Sequence, residues 1–334
     1  MVSTMSRVLI LACAIFLTRP ISACAATSQL IQIDGSSTVF PISRAVAEGF
    51  VKLKQGAIKV TVGISGTGGG FKKFCRGEID INDASRPILK SEMQICKKFG
   101  IRYMELPIAY DALTVTVNPH NYWVKSLTVT ELKKIWEPAA QGKVMIWNQI
   151  RSQWPNRPLK LFGPGEDSGT FDYFTEAIVG KAKSSRTDFT TSEDDNVLVR
   201  GIADDQNALG YFGYAYHIEN QKKLKAVAID RGKGAVFPSS TTVEDGTYEP
   251  FSRPVFIYVC KKSLDRPEVG EFVAYYLTKG PQIVKQVKYV PLPASGYATV
   301  ISNVKTGKLG TVFGGQSEVG VKISDLLKRE AKIH

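Results

Sequence analysis

Histidine is scarce, with three in 334 residues. His120 and His217 stand apart from one another and His334 is the last residue, so none has metal-ligand spacing with another His or Cys. Neither a general base nor a metal centre is therefore evident, and no cofactor is expected. Beyond the N-terminus no apolar run approaches membrane-spanning length. Internal repeats and low-complexity tracts are missing, which sets aside solenoids and disordered chains. A dense Lys/Arg run with interleaved aromatics and zinc-finger spacing are missing too, so the net charge of +12 does not point to nucleic acid. The Gly-x-Ser-x-Gly pattern of a serine nucleophile is absent. The glycines of Ser65 to Lys72 are not followed by Gly-Lys-Ser/Thr, which disfavours a mononucleotide site.

What remains is an ordinary globular composition, 43% hydrophobic and 22% charged, in a chain long enough for two domains. Residues 1–25 read as a secretory signal: Arg7 supplies the positive region, and the apolar run Val8 to Leu17 is too short to span a bilayer as a helix. Ala23-Cys24-Ala25 suits ordinary signal peptidase, whereas Ile21-Ser22-Ala23-Cys24 resembles a lipobox that would leave Cys24 as a lipidated N-terminus. Arg19 and Pro20 interrupt the run just before that box and favour simple cleavage. Losing Arg7 and Arg19, with no acids, lowers the net charge from +12 to +10. A positive surface raises encounter rates with anions or simply aids solubility.

Cysteine usage agrees with export. Five are present, and Cys13 and Cys24 fall in the leader. Cys75 and Cys96 flank a short segment, where an oxidising compartment permits a disulfide worth about 3 kcal/mol; two unrelated buried thiols are the alternative. Cys260, in an apolar strand, is expected to be a buried thiol.

Short apolar strands alternate with amphipathic helical stretches, the pattern of an α/β protein. Strands are expected at 30–33, 58–64, 79–81, 101–108, 112–117, 159–162, 224–229 and 254–259. Ile42, Val46, Phe50 and Leu53 recur at helical spacing, as do Phe171, Phe174 and Ile178 before Gly180. Thr128 and Glu131 form a capping box that opens another helix. The polar stretch Asp230 to Gly246 reads as a surface loop.

The informative feature is where Ser, Thr and Gly fall. Asp34-Gly35-Ser36-Ser37-Thr38 follows one strand and precedes a helix beginning near Pro41. Ser65-Gly66-Thr67-Gly68-Gly69-Gly70 and Gly163-Pro164-Gly165-Glu166-Asp167-Ser168-Gly169-Thr170 repeat that arrangement. A helix N-terminus gathers unsatisfied N–H groups and the positive end of the dipole. Ser and Thr add donors, and open α/β sheets bind ligands at these same strand ends. One such loop is usually only an N-cap; three converging would cage a small tetrahedral oxyanion. A fourth segment, Asn82-Asp83-Ala84-Ser85-Arg86-Pro87, offers Arg86 as the cation that a buried anion needs.

At these residues, and at Ser192-Glu193-Asp194-Asp195-Asn196-Val197-Leu198, the chain resembles the phosphate-binding proteins of Pst-type ABC importers, particularly their cyanobacterial branch. The likeness runs from about Leu30 to near Leu327. It implies a two-lobed periplasmic binding protein fold of type II with two crossing strands at the hinge. Lobe I would comprise 26–112 and 255–334, and lobe II 113–254. It implies phosphate contacts from Ser37, Thr38, Val39, Ser65, Ser85 and Arg86 on lobe I and from Ser168, Gly169 and Thr170 on lobe II. A monomeric, non-enzymatic, periplasmic protein is expected, handing inorganic phosphate to the permease and ATPase subunits of an importer. Sulfate or molybdate as cargo is the alternative, and a phosphatase a weaker one. Many relatives carry an arginine four residues before the Ser-Gly-Thr serine and an aspartate where Ser85 lies; here Pro164 and Ser85 occupy those places. The acid that accepts the proton of hydrogen phosphate is therefore open between Asp83 and Asp167.

Overall fold

A computed structural model describes residues 29–332; the expected leader and Cys24 lie outside them. The chain begins β1 (Gln29–Gly35), α1 (Phe40–Leu53), β2 (Ile58–Val62), α2 (Gly66–Phe74), β3 (Ile81–Ala84), α3 (Lys90–Lys98) and β4 (Tyr103–Val117). The middle part holds β5 (Ser126–Thr128), α4 (Val129–Trp136), β6 (Lys160–Gly163), α5 (Gly169–Val179), β7 (Thr190–Thr191), α6 (Asp195–Asp204), β8 (Ala208–Gly213) and α7 (Tyr214–Glu219). Next come β9 (Lys225–Ala226), β10 (Ala228–Asp230), β11 (Ala235–Val236), α8 (Ser240–Glu244) and β12 (Ser252–Cys260). The chain finishes with α9 (Lys261–Leu264), α10 (Pro267–Gln286), β13 (Val290–Pro291), α11 (Ala294–Thr306) and α12 (Ile323–Glu330).

The main sheet runs β2-β1-β3-β12-β4-β8-β6-β7, with β9 and β13 also pairing with β4. Its two halves are parallel at their outer strands, β1 with β2 and β3, and β6 with β7 and β8. β4 joins them. Every residue of this fifteen-residue strand is buried; it pairs with β12 from Tyr103 to Ala112 and with β8 from Leu113 to Val117. Expected strands at 101–108 and 112–117 thus fuse into one, because pairing with β12 carries Ala109, Tyr110 and Asp111 through the gap between them.

Two other expectations are corrected. The strand expected at 224–229 breaks at Val227, since β9 pairs with β4 while β10 pairs with β5 and β11. The expected loop at 230–246 contains β11 and α8; the helix is started by Ser239, whose hydroxyl accepts from the Thr242 N–H.

Helices pack on both halves. Phe50 of α1 meets Phe272 of α10 edge-on at 5.2 Å, and Trp136 of α4 meets Phe174 of α5 in the same way at 5.6 Å. Thr128 accepts from the Glu131 N–H in the expected capping box. Cys75 and Cys96 form a disulfide, tying α2 to α3, and Cys260 is a buried free thiol. Among the described residues no helix is long and apolar enough to cross a membrane.

Candidate functional site

The parallel strands of both halves aim their carboxyl ends at one region, so the loop after β1 faces the N-terminus of α5. There Thr38 Oγ1 lies 3.1 Å from Thr170 Oγ1, two buried hydroxyls 132 residues apart. Beside them Thr67 Oγ1 lies 3.2 Å from Ser85 Oγ and accepts from the Ser85 N–H at 3.1 Å. A Cβ on Gly169 would come within 2.6 Å of both of those oxygens, so this glycine lets the two halves approach. Residues from the segments that follow β1, β2 and β3 therefore meet the start of α5 at Gly169 and Thr170.

The guanidinium at this meeting point belongs to Arg253. It is 1% exposed and donates to Thr170 Oγ1 at 2.7 Å, the Gly169 carbonyl at 3.0 Å, Asp111 Oδ2 at 3.3 Å and Thr38 Oγ1 at 3.4 Å. Among the described residues its Nε has no hydrogen-bond partner, nor does Asp111 Oδ1. Arg253 and Asp111 are register partners on β12 and β4, so the strands that join the two halves also deliver the site's charges. The sequence signal was available: each is a charge within or beside an apolar strand segment.

A second acid lies near enough to interact with Asp111 and Arg253. Asp195, at the start of α6, is fully buried, and neither carboxylate oxygen completes a hydrogen bond; Ser37 and Gly213 are its nearest donors. Burial pushes its pKa up to about 7, with Asp111 adding to the rise. Burial likewise pushes Asp111 up to about 6, against the opposing pull of Arg253. The two acids and one guanidinium form a buried set that favours holding a proton.

Other expected residues have other partners. Ser65 donates to Asp34 Oδ1 at 2.8 Å. The Val39 N–H closes a turn on the Ser36 carbonyl at 3.2 Å, and its side chain lies in the core. Ser168 caps α5, accepting from the Thr170 and Phe171 N–H groups. Arg86, expected to be the cation that meets the anion, is engaged within the protein: Nε donates to Asp172 at 2.6 Å, and its two terminal nitrogens donate to the two oxygens of Glu92 at 2.9 and 2.8 Å. Each acid expected to accept the ligand proton has a partner within the protein. Asp83 accepts from Ser43 inside the first half at 2.7 Å, and Asp167 is paired with Lys72 at 2.7 Å. A cavity of about 1120 Å³ between α8, α10, α11 and α12 contains none of the hydroxyl-loop residues.

Two sheet halves bridged by buried strands, with hydroxyls, a guanidinium and acids at their junction, define a two-lobed binding protein for a small oxyanion. Residues 21–279 match the PBP superfamily domain, and the chain belongs to that family. It is 52% identical over 314 residues to protein SphX of Synechocystis, covering 93% of each chain. It is 35% identical over 288 residues to the phosphate-binding protein PstS of Staphylococcus saprophyticus, covering 85% of this chain and 86% of that one. Among solved structures, a phosphate ABC transporter substrate-binding protein of Clostridium perfringens with bound phosphate superposes with a TM-score of 0.66 at 25% identity. That match covers 79% of this chain and 100% of the other. The fold is the type II binding-protein fold.

Proposed function

We propose that the protein captures inorganic phosphate between its two lobes and delivers it to an ABC importer. The observation that carries this reading is the contact of Thr38 and Thr170 across the lobes on a buried Arg253. Neutral donors from both sides, with one cation, can solvate a small four-oxygen anion once water is excluded. Thr38, Thr67, Ser85, Gly169, Thr170 and Arg253 hold the anion, Ser37 and Ser168 support the loops, and Asp195 accepts its proton. Sulfate, fully ionised, has no proton to give, so a buried carboxylate facing it would be repelled.

The lobe boundaries lie at 112/113 and 254/255, a placement supported by the change of partner along β4 from β12 to β8. Closing about β4 and β12 signals cargo to the membrane subunits, and docking reopens the cleft. The protein works as a periplasmic monomer and binds rather than hydrolyses: the Ser168 hydroxyl caps a helix instead of pairing with a base. Titration calorimetry with phosphate and sulfate tests this, together with the rise in melting temperature that native-state binding produces. Tight phosphate binding with weak sulfate binding is expected; a preference for sulfate or molybdate would overturn the assignment.

A further inference from the structure

The loop after β3 carries a buried guanidinium that the anion site does not use. Arg86 and Asp172 have side chains 1% and 2% exposed and approach to 2.6 Å across the two lobes. Glu92 holds Arg86 from within lobe I by a two-pronged pair, and also accepts the Leu89 N–H at 2.8 Å, which fixes it at the start of α3. Phe71 packs against the guanidinium, 5.7 Å from its ring centre. With the Pro87 carbonyl at 3.0 Å, four of the five N–H donors of an arginine are occupied, which leaves no fork for two phosphate oxygens. Three of those four bonds come from lobe I alone, which thus presets Arg86, and the fourth is made by Nε, which faces α5.

We infer that Arg86 is a latch, a positioning residue that receives Asp172 when the cleft shuts and so holds the closed state; this rests on the hinge-closing reading above. Asp172 suits the role. It lies in the first turn of α5, and among the described residues its Oδ1 makes no hydrogen bond and its other cationic neighbour, Lys183, stands 3.9 Å away. The exposed pair Lys72–Asp167 also spans the lobes, with 60% and 34% of its side chains accessible, and pairs of that kind contribute little. The buried pair differs because removing Arg86 would leave Glu92 and Asp172 facing each other in the closed state only. Open lobes would separate them.

The mature chain carrying Asp172→Asn or Arg86→Met is loaded with radiolabelled phosphate and chased with unlabelled phosphate, and X-ray scattering is recorded with and without phosphate. Asp172→Asn should speed release about tenfold, the scale of one charged hydrogen bond, while association changes less than about twofold. Arg86→Met should speed it about a hundredfold or more. Adding Glu92→Gln and Asp172→Asn to Arg86→Met should return release to the level of Asp172→Asn alone. Ligand-free melting temperatures separate misfolding from these effects, and the ligand-free radius of gyration should be larger for Arg86→Met than for wild type. Unchanged release in Asp172→Asn, or a loss in Arg86→Met confined to association, overturns the latch. A wild-type chain that failed to bind phosphate would instead sink the reading of the site; the ligand-free scattering comparison would then decide the latch, equal radii counting against it.

Discussion

Replacing Arg253 by methionine separates the site's electrostatics from its stability. The guanidinium faces Asp111, which is 0% exposed at its side chain, and the substitution leaves that carboxylate buried and unpaired. Breaking a buried pair from one side costs about 3–5 kcal/mol, so the ligand-free Arg253→Met protein should melt well below wild type. Phosphate loses the charge-assisted hydrogen bond open to it at Nε, about 1.5–3 kcal/mol, which at about 1.4 kcal/mol per decade is a drop in affinity of roughly 10- to 10²-fold. The double variant Arg253→Met/Asp111→Asn resolves the two effects. It removes the stranded charge, so most of the melting temperature should return while affinity stays low. Thermal denaturation and calorimetry read the two quantities on the same samples. Binding within about threefold of wild type in the double variant would refute the placement of Arg253 on the anion.

Asp195→Asn should weaken phosphate binding and strengthen sulfate binding, because an amide can donate to a fully ionised oxygen that a carboxylate repels; competition calorimetry reads the ratio, and an unchanged ratio counts against Asp195. The same acids set the pH dependence of ligand-free stability. Asp195 and Asp111 are raised to about 7 and about 6, so between about pH 4 and 7 the folded chain holds protons that the unfolded chain has released. Their contribution to stability is therefore greatest below about pH 4 and declines as pH rises through the folded values; Asp195→Asn should flatten that decline in denaturant titrations. Gly169→Ala would place a methyl 2.6 Å from Ser85 Oγ and Thr67 Oγ1. It should block closure and reduce phosphate affinity at least about tenfold, with little change in the ligand-free melting temperature. Normal affinity in this variant would show that the lobes need not meet there.

The alternating strands and helices were legible because each is written locally: apolar residues at period two or 3.6 and caps such as Thr128 with Glu131. Errors arose where tertiary pairing overrode the local pattern. Asp111 interrupts the apolar run of β4, and only its partner on β12 shows that the strand continues. α8 is polar and five residues long, too short for a periodicity to register. In the site, the hydroxyl loops were visible because a strand end followed by a helix start is a local event. The cation was not. Arg253 lies 215 residues from Thr38 and 142 from Asp111, so its role depends on how β12 sits against β4. Arg86 looked like the cation by position, yet Asp172, 86 residues away, occupies it.

Charge counting locates where selectivity must arise. Arg253 and Asp111 neutralise each other, so the surroundings of the anion carry no net positive charge from that pair, and Asp195 can only add negative charge. A cation-rich pocket would accept phosphate and sulfate alike. This arrangement admits a doubly charged anion only if neutral hydroxyls and amides supply most of the solvation and if an acid and the anion share a proton between them. The net positive charge of the sequence, +12, acts before that step by raising the encounter rate, and its effect fades with salt. Affinity for hydrogen phosphate should then be far less sensitive to ionic strength than its association rate, because the groups that hold it are buried.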